Sequence, residues 1–135
     1  TNMSITDLPL DVWLNVTKYF SWKDRTRLSM ASAYFHHLYT EEDLWKNVAI
    51  FHPESTNYGE AILRSNTSCL KHIRTFTMRR AKQAGKPLEI LRDNTEQLRT
   101  LDLSNCQNIY RQRLNAFLQQ QTQLESLNLG NSEYR

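Results

Sequence analysis

The chain has 135 residues, a formal net charge of +3 and a mean hydropathy of −0.66, which suits one core or two small abutting units and excludes a large enzyme. No run reaches the ~18 consecutive apolar residues of a membrane span, and no basic-then-apolar leader opens the chain, so a protein of the cytoplasm or nucleus is expected. The two cysteines, Cys69 and Cys106, fit neither a paired metal-ligand spacing nor a disulfide framework and are expected reduced and buried.

Residues 7–20, DLPLDVWLNVTKYF, predict a first helix. Asp7 caps it, Pro9 falls in a first turn where its missing N–H costs nothing, and Asp11 places negative charge near the N-terminal dipole. Val12, Trp13, Val16, Tyr19 and Phe20 share a stripe about 120° wide, the expected core face. Leu8, Leu10 and Leu14 fall outside that stripe, the last two close to Thr17, and this second apolar side must meet either more of the chain or a partner.

Leu28, Ala31, Phe35 and Leu38, at i, i+3, i+7 and i+10, predict a second amphipathic helix. A third follows, with Thr40 as its cap, Glu41, Glu42 and Asp43 in its first turn, and Leu44 and Trp45 at its end. Three helices in about 45 residues make a very small core, and a unit of that size needs a staple or a partner.

The chain changes character around residues 45–60. Nine of its fourteen aromatics lie in the first 51 residues, and Phe51 to Asn57 reads as a turn or loop. Residues 64–113 carry eleven Lys/Arg against four Asp/Glu, with Lys71, Arg74, Arg79, Arg80, Lys82 and Lys86 forming a basic cluster. That cluster is either a solvated loop after a strand or a surface that steers an acidic partner. Only Phe76 is interleaved with it, and the strand pattern assigns Phe76 to the core, so no stacking platform for single-stranded nucleic acid is expected.

Self-similarity dominates the second half. LRTLDLSNC (98–106) and LESLNLGNS (124–132) share L-x-x-L-x-L, their first leucines being Leu98 and Leu124, and weaker copies start at Ile73 and Trp45. The four starts are nearly evenly spaced, inside the period of ~20–29 residues that marks leucine-rich repeats. Alternation sets Leu101 and Leu103 toward the core and Thr100, Asp102 and Ser104 toward the other face. Ile109, Leu114, Phe117 and Leu118, and likewise Leu88 and Leu91, supply helices between strands. Such units bury their apolar faces only by stacking. The arrangement resembles the cysteine-containing class of leucine-rich repeats, with Cys106 as the buried turn residue. Its last unit stops at a strand, as expected of a fragment of a longer array. Outward strand positions Thr75, Thr77, Arg79, Thr100, Asp102, Ser104, Ser126 and Asn128 are the candidate target-binding residues, and none of them is the aromatic anchor typical of a binding hot spot.

Residues 5–50 resemble an F-box, the module that tethers substrate receptors to the Skp-type adaptor of cullin-based ubiquitin ligases. The resemblance rests on Leu8-Pro9, Asp11, Val16, Phe20, Leu28, Ala31, Phe35, Leu38 and the closing Leu44-Trp45. Asp11 stands for a usual Glu, Thr17 for an apolar residue, and Ser32 for a frequent Cys, while Arg25 follows Asp24 where Leu is usual. The fold so implied is a three-helix F-box followed, over residues 45–135, by an α/β leucine-rich-repeat solenoid with a short parallel sheet. The resemblance implies that Leu8, Pro9, Leu10, Asp11, Leu14, Thr17, Arg25 and Leu28 meet the adaptor, while Val12, Trp13, Val16 and Phe20 close the module's own core.

No catalytic set accompanies these features. His36, His37, His52 and His72 lack zinc spacing, no serine or cysteine sits in a nucleophile elbow, and three glycines supply no phosphate loop. The expected function is therefore that of a non-catalytic receptor subunit, without cofactor or metal, whose partners are a Skp-type adaptor, a cullin scaffold held indirectly and an unknown substrate protein. The alternatives are an adaptor binder that acts without ubiquitin transfer, a pathogen effector imitating such a receptor in host cytoplasm, and a repeat scaffold for an acidic or nucleic-acid partner. Membrane association is not expected.

Overall fold

Four short apolar stretches recur along the second half, and each becomes a strand: β1 (Asn47–Phe51), β2 (Thr75–Arg79), β3 (Thr100–Asp102) and β4 (Ser126–Asn128). They form one parallel sheet in the order β1-β2-β3-β4. In the computed structural model, which describes residues 8–17, 19–51 and 58–134, Asn47, Thr75, Thr100 and Ser126 align across the sheet, at the same intervals that separate the sequence motifs.

Each strand is joined to the next through a helical segment, as parallel pairing requires. α5 (Tyr58–Ser65) and a 3-10 helix (Thr67–His72) link β1 to β2, α6 (Gly85–Asn94) links β2 to β3, and α7 (Arg111–Gln120) links β3 to β4. α6 lies beside both α5 and α7. The inward strand residues Val48, Ile50, Phe76, Met78 and Leu101 are buried with Leu63, Leu70, Leu88, Leu91 and Phe117 from the helical segments. Leu127 continues the row of Val48, Phe76 and Leu101 but is 41% exposed, at the β4 edge of the sheet.

The turns after the strands repeat as well. Arg80, Asn105 and Asn131 occupy equivalent places in successive repeats and all take positive φ, at 62°, 58° and 58°. The Cys106 thiol donates to Met78 O at 3.1 Å, and the Ser132 hydroxyl, at the equivalent place one repeat on, donates to Leu103 O. Gly85 permits the close approach of the segment after β3: a Cβ there would lie 3.2 Å from Asn108 O.

The chain divides into two compact units, Thr1–Leu44 and Trp45–Arg135. The first is helical: α1 (Leu10–Thr17), α2 (Trp22–Ala31), α3 (Ala33–Tyr39) and most of α4 (Glu42–Trp45). The single second helix expected over Leu28–Leu38 is in fact two. Ser32 is extended, at φ −161° and ψ 160°, and its hydroxyl accepts the Phe35 N–H, so the helix stops and restarts there. Thr40, expected to open the third helix, closes α3 instead, its hydroxyl donating to His37 O.

α1 is also turned from its expected orientation. Thr17 is its buried residue and Trp13 and Leu14 are half-buried, whereas Val12 and Val16, expected in the core, are about 40% exposed and Tyr19 is almost fully exposed. A threonine can face inward here because its hydroxyl donates to Trp13 O (2.9 Å) and its carbonyl accepts Arg25 Nε–H (2.9 Å). Trp13 packs edge-on against Phe35, with centroids 5.1 Å apart. The Asp7 cap and the 52–57 part of the expected loop, His52 included, lie outside the described residues.

Candidate interaction surfaces

In the helical unit, the residues assigned to the adaptor separate into two groups. Pro9, Leu10 and Asp11 are exposed, and Leu8 and Leu14 are half-buried. Thr17, Arg25 and Leu28 instead line a small cleft with Phe35, Leu38, Tyr39 and Leu44. Arg25 is buried, its guanidinium 4.6 Å from the centre of the Trp22 ring. Burial lowers its pKa, and Tyr39 acts in the opposite sense. Within this unit Thr17 and Arg25 tie α1 to α2, while Leu10, Val12 and Val16 on α1, Tyr19 after it and Met30 on α2 are exposed large apolar residues. Val12 and Val16, one helical turn apart, share a face of α1.

In the sheet unit, outward strand side chains form rows set by the register. Asn47, Thr75, Thr100 and Ser126 make one, and Ala49, Thr77, Asp102 and Asn128 the next. Phe51 lies opposite Arg79 beyond them. Thr75, Thr77 and Thr100 are half-buried, and Arg79, Ser126 and Asn128 are exposed. Asp102 and Ser104, expected to face solvent, are buried. The reason is a local network: Asp102 Oδ2 accepts from Arg79 Nη2 at 2.8 Å and Nε at 3.3 Å, and Oδ1 accepts the Ser104 N–H at 3.0 Å. Burial works to raise the Asp102 pKa, but the bonds from Arg79 and Ser104 outweigh it and leave the carboxyl below its ordinary range. Asn128 uses the same device one repeat later, its Oδ1 accepting the Gly130 N–H at 3.0 Å.

Phe51 is the residue that sequence reasoning missed. It is 57% exposed at an outward strand position, with the Arg79 guanidinium 5.8 Å from its ring centre. The WKNVAI motif ends one residue before it, so the alternation that exposes Asn47 and Ala49 also points to Phe51 once β1 is extended.

The basic cluster is not one body of free charge. Arg79 is paired with Asp102, and Arg74 Nη1 donates to Lys71 O. Arg80, Lys82 and Lys86 are exposed in and just after the turn that follows β2. Cys69 and Cys106 are buried, and burial pushes both thiols up. Among the described residues no three His, Cys, Asp or Glu side chains gather in a way that could hold a metal ion, and no helix is long and apolar enough to cross a membrane. Compared with known proteins, the chain matches no family model and no curated sequence.

Proposed function

We propose that this chain is the receptor subunit of a Skp–cullin–F-box ubiquitin ligase, holding the adaptor through residues 8–44 and a target protein through the outward face of the sheet. The observation that carries the reading is the apolar surface that α1 leaves open, Val12 and Val16 on one side and Leu10 on another, each 38–40% exposed on a unit too small to give up apolar surface without a partner. Leu8, Pro9 and Leu14 adjoin it in sequence, where the F-box resemblance sets the adaptor contact. Support for the second role comes from the parallel sheet and its near-constant period, consistent with leucine-rich repeats, whose stacked strands offer a broad polar surface.

The role requires no catalytic group in this chain. A receptor raises the effective concentration of its target near an active site carried by another subunit, and rate follows from proximity. Thr17 and Arg25 then act by positioning: their 2.9 Å bond sets the rotation of α1 and so decides which apolar residues face outward.

The test is titration of the chain with a purified Skp-type adaptor in a calorimeter, beside a Leu10→Asp/Val16→Asp variant. Saturable 1:1 binding that the variant loses is the expected result, and no heat of binding by the native chain would overturn the reading. Adding cullin and the ubiquitin-transfer components to the complex then separates a ligase receptor, which supports chain formation, from an adaptor binder that does not.

A further inference from the structure

One residue breaks the pattern of its own repeat. After β3 and β4 the positive-φ position is Asn105 and Asn131, a residue type suited to the left-handed region, but after β2 it is Arg80 at φ 62°. An arginine gains nothing locally from that conformation, and its side chain is exposed. Backbone strain that a neighbouring repeat avoids with asparagine points to a role for the side chain that replaced it.

The surroundings say what the role is. Arg80 follows Arg79 directly, and Arg79 lies opposite the exposed Phe51. Asp102 holds Arg79 through Nε and Nη2, fixing the guanidinium near the ring and largely offsetting its charge. Uncompensated positive charge at this corner of the sheet therefore comes from Arg80, with Lys82 two residues on. An aromatic face beside an ordered arginine is the composition of a protein-binding hot spot. A single aromatic offers no series of stacking surfaces, which disfavours single-stranded nucleic acid.

We propose that Phe51, Arg79 and Arg80 form the target-binding hot spot of the sheet face, and that it takes a protein segment in which an acidic residue neighbours an apolar one. The apolar side chain lies on Phe51, Arg79 holds that ring in place, and Arg80 meets the carboxylate. This rests on the reading of the sheet face as the target surface and is independent of adaptor binding, which residues 8–44 carry.

The test is selection of peptides from a random display library on the full chain, followed by affinity measurements of the enriched peptides on Phe51→Ala, Arg80→Asn and, as a distant control, Gln119→Ala. Enriched peptides should share an acidic residue next to an apolar one, bind roughly tenfold more weakly to the first two variants, and bind the control unchanged, with affinity falling as salt rises. Arg80→Asn fits the left-handed turn as Asn105 and Asn131 do, so its thermal midpoint should not fall and loss of binding cannot be put down to unfolding. The proposal is overturned if selection enriches nothing, if enriched peptides lack the acidic residue, or if they bind Arg80→Asn as tightly as the native chain. It is equally overturned, in favour of nucleic acid, if a single-stranded oligonucleotide displaces the peptides and is itself weakened by the same variants. Adaptor titration of the same variants should match the native chain, so failure here leaves the adaptor role standing and failure there leaves this one.

Discussion

Phe76, Leu101, Leu103 and Phe117 in the sheet unit are fully buried, whereas in the helical unit α1 leaves Leu10, Val12 and Val16 38–40% exposed. Both regions are rich in apolar side chains, and they differ in where the covering surface comes from. In the sheet unit β1, β2 and β3 bury their inward residues against the helical segments, and only Leu127 on β4 is left open, so most of the apolar pattern is satisfied within the chain. In the helical unit α1 turns Trp13 and Thr17 inward and leaves its valines outside. Apolar residues left exposed on α1 are therefore the place where the proposed adaptor interface is tested.

The contrast breaks most visibly through its core. Phe76→Ala removes a fully buried ring between β1 and β3 and should cost about 3–5 kcal/mol, read as a large fall in the urea midpoint. Val16→Ala on α1 should cost less than about 1 kcal/mol by the same measurement, since its site is already open to water; equal losses would erase the distinction. A second break reverses the readout. Leu10→Asp/Val16→Asp should lower the urea midpoint far less than Phe76→Ala while weakening adaptor binding by about thirtyfold, the equivalent of a ~2 kcal/mol hot spot.

Two smaller effects sharpen the comparison within the repeats. Arg80→Asn should stabilise the sheet unit by about 1 kcal/mol, because a left-handed conformation costs an arginine more than an asparagine; a lower urea midpoint would mean that the native side chain makes a stabilising contact. The smallest effect concerns Asp102. Its folded pKa is depressed, so its contribution is fully present above the ordinary carboxylate range and is lost as pH falls through the lowered value. Thermal midpoints of the native chain and Asp102→Asn should therefore differ at neutral pH and converge in acid, by a modest amount because Arg79 is half-exposed.

Strand positions were legible because alternation is local. Leu101 flanked by Thr100 and Asp102, or Leu127 flanked by Ser126 and Asn128, carries its own signal in three residues. Burial of Asp102 was not, since it depends on Arg79, 23 residues away in sequence and adjacent only once β2 and β3 pair. The rotation of α1 failed for the same reason. Helical periodicity places Val12 and Val16 on an apolar stripe, but Trp13 packs against Phe35, 22 residues on, and turns Thr17 inward, where its hydroxyl is satisfied by Trp13 O. The break at Ser32 had a local signal, a serine three residues before Phe35 in capping position, that the apolar spacing of Leu28 to Leu38 overrode. Of the candidate site, the outward rows followed from alternation, while Phe51 needed the last residue of β1 and Arg80 needed a backbone angle that no residue pattern reveals.

Hydrogen–deuterium exchange with and without a Skp-type adaptor tests the division of labour most directly. New protection is expected on α1 and its neighbours in residues 8–44, with the amides of β2 and β3 unchanged. Protection confined to the sheet, or no change anywhere at saturating adaptor, would contradict it.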